Sequence, residues 1–307
     1  MLTFLPGPVL FIISLSLLII NTLVWSSLLT IGGVAKLLLP FLLARRLLTR
    51  IMNRLMWSWA TCNGGILYLI SNIEWDVKGL DKLDPNGWYL LISNHVSGFD
   101  IAAQTYVLRN HIPMLKFFLK KELLYVPIMG LGCWALDMPF MNRTSAAKLK
   151  KNPKLKGKDL QTTRKACERF KHMPTSIINY VEGSRFTEEK RLRQNSPYRH
   201  LLRPKASGIA FTLSAMGEQF TSLLNITLVY PETSKKVLAN VMHGRTKKVI
   251  MRVEVLPVPR VDPQIYFSSP ETRVEFQRWL NRLWLDKDQQ IDDIKKAYLQ
   301  QQRNQSD

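Results

Sequence analysis

The pattern of apolar and polar positions changes character near residue 70. Ahead of that point apolar residues run with little interruption. Met1–Ala35 carries no charged side chain, and Pro8–Ile31 alone is long enough to cross a hydrocarbon core. No basic stretch precedes that run, so it reads as an anchor rather than a cleavable leader. Leu37–Ile70 remains apolar, with Trp57, Trp59 and Tyr68 suited, like Trp25 before them, to a membrane interface. It is expected to lie in that interface as readily as to cross it. The same residues would also serve as a buried helical hairpin of a soluble protein.

Beyond residue 70 short apolar runs alternate with helical periodicity. Ile73–Val77, Trp88–Ser93, Met114–Leu119, Ala135–Met141, Ser176–Val181, Leu223–Val229 and Val249–Leu256 read as strands. Ile101–Asn110, Gly157–His172 and Ala206–Met216 read as helices between them. This alternation predicts an α/β fold with a largely parallel central sheet flanked by helices, behind an N-terminal membrane-embedded helical segment. Asp81–Gly87 and the proline-divided Pro257–Pro270 read as loops. Glu271–Gln301 reads as a charged helix docking through Phe276, Leu280, Leu283 and Trp284, with Ile291, Ile294 and Tyr298 extending that face. The expected division is an anchor over residues 1–70 and a catalytic domain over 71–307.

Charge adds a partner class. The 307 residues carry 43 Lys and Arg against 23 Asp and Glu, a net charge of +20 that points to an anionic surface or a phosphate-bearing substrate. After the uncharged start come Lys36, Arg45, Arg46, Arg50 and Arg54, with no acid until Glu74. That arrangement suits the cytoplasmic face of a membrane containing anionic lipid. Lys148 to Lys171 is strongly basic as well, and suits either lipid or solvent. No RNA-binding signature, zinc finger or basic helix with heptads accompanies the charge, so nucleic acid is not an expected partner. Cys62, Cys133 and Cys167 stand far apart and suggest no disulfide framework.

Two polar clusters follow apolar runs, where a sheet can hold reactive groups over a cleft. Asn94-His95-Val96-Ser97-Gly98-Phe99-Asp100 follows one predicted strand. Five residues separate His95 from Asp100, too many for one helix face. If His95 sits in the turn and Asp100 opens the next helix, the carboxylate can fold back onto the imidazole. It would then fix the tautomer and let the ring take a proton from an alcohol. A helix-capping Asp100 and a plain loop His95 would give the same pattern. Glu182-Gly183-Ser184-Arg185 follows another strand. Gly183 allows close approach to a ligand, and Arg185 offers a fork matched to phosphate. A surface ion pair between Glu182 and Arg185 is the plainer alternative. Arg143 closes an apolar run, and Lys205 lies in the approach to a helix, where a phosphate can be held. The spacing fits no zinc site, and the chain has no nucleophile elbow, Walker A loop or dinucleotide fingerprint.

With these blocks in place the chain resembles the glycerolipid (lysophospholipid) acyltransferases, among them the bacterial 1-acyl-sn-glycerol-3-phosphate acyltransferases. Asn94–Asp100 matches the family's NHxxxxD block, Phe140-Met141-Asn142-Arg143 its second block, and Glu182–Arg185 its EGTR-type block with serine for threonine. The blocks stand in the family's order, and the likeness covers roughly residues 70 to 260. Lys121–Pro127 and Glu182–Lys190 are most similar to the lysocardiolipin-type and animal lysophosphatidate branch. The C-terminal membrane helices of those animal relatives are not expected here, and the chain looks more like a bacterial inner-membrane member. It departs from many bacterial members at Leu224-Asn225-Ile226-Thr227-Leu228, where they carry a proline.

The resemblance implies transfer of an acyl group from acyl-CoA or acyl-carrier protein to the free sn-2 hydroxyl of a lysophospholipid, 1-acylglycerol-3-phosphate above all. His95 would be the base and Asp100 its orienter. Arg185 and Arg143 would bind the acceptor phosphate, beside Glu182, Gly183, Ser184 and Lys205. No metal or cofactor besides the acyl carrier is implied, and the catalytic domain would face the cytoplasm. Two other classes fit parts of the sequence: a non-catalytic basic membrane protein that binds anionic lipid or nucleic acid, and a membrane esterase using Ser184.

Overall fold

The computed structural model describes residues 1–126, 129–141, 173–233, 235–260 and 263–304. Two long helices come first, α1 (Gly7–Leu38) and α2 (Leu42–Ile70). Pro6 and Pro8 suit the first turn of α1, where a missing N–H is harmless. The helices meet through small and polar contacts: Asn21 Nδ2 donates to Asn63 Oδ1 at 2.8 Å, and Met52 packs against Gly32. Among the described helices α1 alone is long and apolar enough to cross a membrane. Most of its apolar side chains, including Ile12, Ile19, Leu23 and Ile31, are exposed.

Both ends of α1 touch the α/β unit that follows. Near its start, Gly7 O lies 2.9 Å from His243 Nδ1, the Phe11 ring stacks on His243, and Ser14 Oγ donates to Met242 O. At its far end Lys36 Nζ lies 2.6 Å from Asp137 Oδ2. Lys36 is thus turned inward, unlike its expected place in a lipid-facing basic cluster. Helix α2 continues the contact: Gly64 lets the Tyr106 ring lie directly against its backbone.

The sheet contains β1 (Glu74–Lys78), β2 (Tyr89–Ser93), β3 (Leu115–Phe117), β6 (Ser176–Tyr180), β7 (Ser222–Val229) and β8 (Lys248–Leu256), in the order β1-β8-β7-β2-β6-β3. Every neighbouring pair is parallel except β7 with β8, which bears out the expected largely parallel sheet. β4 (Leu119–Lys120) and β5 (Phe140–Met141) form a separate parallel pair. Leu90 and Ile92 of β2 join the core beneath α6 (Ala206–Met216) and α9 (Pro270–Asn304). Tyr89 and Leu91 face the opposite core, with α3 (Phe99–Leu108), α7 (Val237–Met242) and Leu67 of α2. That alternation is the period of a strand buried on both faces.

Three sequence expectations are corrected. Ala135–Met141 is not one strand: it holds the end of α4 (Met129–Ala135), a turn with Asp137 at φ 55°, and β5. Its apolar residues Ala135, Leu136 and Met138 are buried against Leu29 and Met52 of the helical hairpin rather than in the sheet. Met114–Leu119 supplies a strand to each of the two sheets. The loop expected over Pro257–Pro270 contains α8 (Pro263–Ser268), which begins at a proline, as helices readily do. The short α5 (Glu188–Arg193) also went unpredicted. The helix expected over Gly157–His172, the basic run Lys148–Lys171, Cys167 and Arg143 lie outside the described residues.

Candidate active site

Three adjacent parallel strands, β7, β2 and β6, end at one edge of the sheet. The carboxyl ends of such strands are where open α/β sheets place their ligands. The residues that follow these three strands are Tyr230, His95 and Glu182–Arg185.

His95 and Asp100 meet as the spacing suggested. His95 Nδ1 lies 2.8 Å from Asp100 Oδ2. Asp100 is in the first turn of α3 and is fully buried, while the His95 side chain keeps 16% exposure. Asp100 does not cap the helix. Its Oδ2 instead accepts from Val96 N at 2.6 Å and Ser97 N at 2.9 Å, which wraps the preceding loop around the carboxylate. Its Oδ1 accepts from the Tyr230 hydroxyl at 2.8 Å. With Nδ1 donating to the carboxylate, His95 Nε2 is left as the proton acceptor. The imidazole stacks on Tyr180, with ring centroids 4.1 Å apart. Tyr180 is held in turn by its hydroxyl bond to Gln104 Oε1. Burial and the nearby Asp100 charge hold the Tyr180 and Tyr230 phenols well above their usual range, so both stay protonated donors.

The second cluster clamps the His95 loop. Glu182 is buried and makes no ion pair with Arg185. One carboxylate oxygen accepts from His95 N at 3.1 Å and the other from Leu202 N at 2.9 Å. Burial pushes the Glu182 carboxyl up to about 8, while the two backbone donors and Lys287 pull against that rise. Phe186 N donates to His95 O at 2.7 Å, completing the tie between the two loops. Gly183 sits at φ 71°, in the left-handed region that favours glycine.

Arg185 and Lys205 are exposed, and neither forms an ion pair with a described residue. The Arg185 guanidinium lies beside Gly98 in the His95 loop, and the Lys205 ammonium lies beside Gly183. Two cations unpaired among the described residues therefore stand at the rim of the His95 site. Ser184 Oγ has no hydrogen-bond partner among the described residues, so none of them is placed as the base that a nucleophilic serine needs. Arg143 cannot be placed relative to this rim, since it lies outside the described residues.

Tyr180, Tyr230 and Lys287 were not foreseen as contributors. Tyr230 is a hydroxyl at the end of an apolar strand, and only the sheet order brings it to Asp100. Lys287 interrupts the apolar stripe Leu280, Trp284, Ile291 of α9, and that interruption was the available signal.

Comparison with known proteins agrees with the resemblance carried by the sequence blocks. The chain is 26% identical over 181 residues to the 1-acyl-sn-glycerol-3-phosphate acyltransferase delta of Homo sapiens, a match covering 56% of this chain and 43% of that protein. It is 24% identical over 220 residues to the 1-acyl-sn-glycerol-3-phosphate acyltransferase 3 of Arabidopsis thaliana, covering 66% of this chain and 52% of that one. The chain thus spans about half the length of the curated relatives it matches. Its fold is similar to that of the crystal structure of the 1-acyl-sn-glycerophosphate acyltransferase PlsC from Thermotoga maritima. The TM-score is 0.51 at 17% identity, over 89% of this chain and 98% of that one. The model of the family described as Acyltransferase matches residues 74–229, which contain His95, Asp100 and Glu182–Arg185, and the chain belongs to that family.

Proposed function

We propose that the protein transfers a fatty acyl group from a thioester, acyl-CoA or acyl-carrier protein, to the free sn-2 hydroxyl of a lysophospholipid, with 1-acylglycerol-3-phosphate as the favoured acceptor. The observation that carries this reading is the 2.8 Å contact between His95 Nδ1 and buried Asp100 Oδ2, beside two exposed cations that pair with no acid among the described residues. His95 Nε2 takes the proton of the acceptor hydroxyl as its oxygen attacks the thioester carbonyl. The carbon–sulfur bond then breaks, and the imidazolium returns the proton to the leaving thiolate. The products are a diacyl phospholipid and a free thiol. Asp100 holds the ring and stabilises its transient charge. Arg185 and Lys205, with Arg143, bind the acceptor phosphate, and Glu182 and Gly183 shape the loop between them.

Purified full-length protein supplied with 1-acylglycerol-3-phosphate and either donor should form diacylglycerol-3-phosphate. Formation of no product with any lysophospholipid acceptor would sink the reading. Arg185→Lys keeps the charge but loses the two-pronged donor. It should raise KM for the phosphorylated acceptor by about tenfold, the scale of one lost charge-assisted hydrogen bond. KM for the acyl donor should stay near the wild-type value. Equal KM values for both substrates in variant and wild type would remove Arg185 from the acceptor site.

The membrane is part of this reading. Residues 1–70 anchor the enzyme, and the exposed apolar face of α1 is the surface that meets lipid. Gly7 and Lys36 are separated by about 44 Å of helix at 1.5 Å per residue, yet both contact the α/β unit. A helix bound to one domain at both ends fits a single leaflet better than a crossing. The acceptor, itself a lipid, then reaches His95 from the same face, which in the bacterial reading is the cytoplasmic face of the inner membrane. The hold is mainly hydrophobic, so the protein should stay with membranes in high salt and in alkali and leave with detergent. Release by salt alone would show an electrostatic attachment instead.

A further inference from the structure

Helix α9 lies across the sheet with Leu280, Trp284 and Ile291 buried, and Lys287 is buried among them at 2% exposure. Its ammonium donates to Ile226 O and, at 3.1 Å, to Thr227 Oγ1, both on β7. The Trp284 ring centroid lies 5.1 Å from the same nitrogen. Burial pulls the Lys287 ammonium down to about 7, against the attraction of Glu182 and Glu254. Packing alone would be served better by an apolar side chain of similar volume, because a buried charge carries a desolvation cost.

What Lys287 grips suggests its use. Ile226 and Thr227 stand immediately before Leu228, whose N–H and C=O are both bonded by the Asn94 side chain, at 2.9 and 2.8 Å. Asn94 is the residue before His95. Two positions past Leu228 comes Tyr230, whose hydroxyl donates to Asp100 Oδ1. Within five residues the end of β7 is therefore held by α9, tied to the His95 loop, and bonded to the carboxylate that orients His95.

We propose that Lys287 is a positioning residue for the His95–Asp100 pair, acting through β7: it fixes the strand end at Ile226 and Thr227 so that the Tyr230 hydroxyl stays on Asp100. The proposal rests on the acyl-transfer reading above. Apolar packing of α9 would hold the helix in place with or without this ammonium, but would not aim the strand end.

The test is a double-mutant cycle on the full-length protein, with kcat and both KM values measured for wild type, Lys287→Met, Tyr230→Phe and the pair. Each single variant should lower kcat by about tenfold, the middle of the range for coupled sites, with both KM values within about twofold of wild type. The double variant should fall no further than the worse single one, since both changes break the same chain of contacts. Losses that multiply to about a hundredfold in the double variant would overturn the proposal, as would an unchanged kcat in Lys287→Met. If Lys287→Met does not fold, Thr227→Val decides. It removes only the hydroxyl acceptor, and must show the same lack of additivity with Tyr230→Phe. Wild-type protein without acyl transfer would overturn the underlying reading. Active wild type with multiplying losses would overturn the role of Lys287 alone.

Discussion

His95→Ala is expected to lower kcat for acyl transfer by about 10² to 10⁴, the contribution of a well-placed general base. The fold should be retained, for reasons local to the site. The imidazole lies at the rim, partly exposed and stacked on one face by Tyr180. Its loss leaves Asp100 with three donors, from Val96 N, Ser97 N and the Tyr230 hydroxyl. The carboxylate thus remains paired, and the loop remains tied through Glu182 and Phe186 to the backbone of residue 95. Acceptor affinity should change little, because the cations beside Gly98 and Gly183 are untouched. The measurement is kcat and KM beside a thermal melt in the same detergent. A melt near that of wild type with near-wild-type turnover would falsify the base assignment.

The sequence made the ends of two strands legible because each is a buried apolar run halted by a polar cluster. β2 is short, central and buried along its whole length, so Tyr89–Ile92 reads as a continuous apolar run, and Ile177 and Ile178 mark β6 in the same way. The same rule failed at Ala135–Met141, where apolar residues are buried by the helical hairpin rather than by neighbouring strands. Apolarity records burial without recording what covers the residue. The contact of His95 with Asp100 was readable because it is local, needing only a turn ending in a helix. Tyr230 and Lys287 were not readable as site residues, since their places depend on β7 lying beside β2 and on α9 crossing it. Glu182 was read as a partner for Arg185 or for substrate. Its actual partners, the backbone N–H groups of His95 and Leu202, carry no mark in the side-chain sequence.

Asp100→Asn is expected to be at least as severe for turnover, by about 10³ to 10⁴ in kcat, while disturbing the structure even less. Asp100 Oδ2 faces three donors and Oδ1 faces the Tyr230 hydroxyl. An asparagine can turn its carbonyl toward Val96 N and Ser97 N and its amide toward Tyr230. The Tyr230 hydroxyl can rotate to accept in place of donating. Val96 N, Ser97 N and the Tyr230 oxygen then each keep a partner, and what disappears is the negative charge. The imidazolium formed as His95 takes the acceptor proton would lose its counter-charge, and the pull holding the Nδ1–H tautomer would weaken. Asp100→Ala removes the same charge but strands the Val96 and Ser97 N–H groups, at about 1–3 kcal/mol for each buried donor left unmade. The two variants should therefore separate chemistry from stability. Both should lose kcat, and only the alanine should melt well below wild type. If asparagine melts like wild type and turns over like wild type, Asp100 is a structural clasp for the loop and no part of proton transfer.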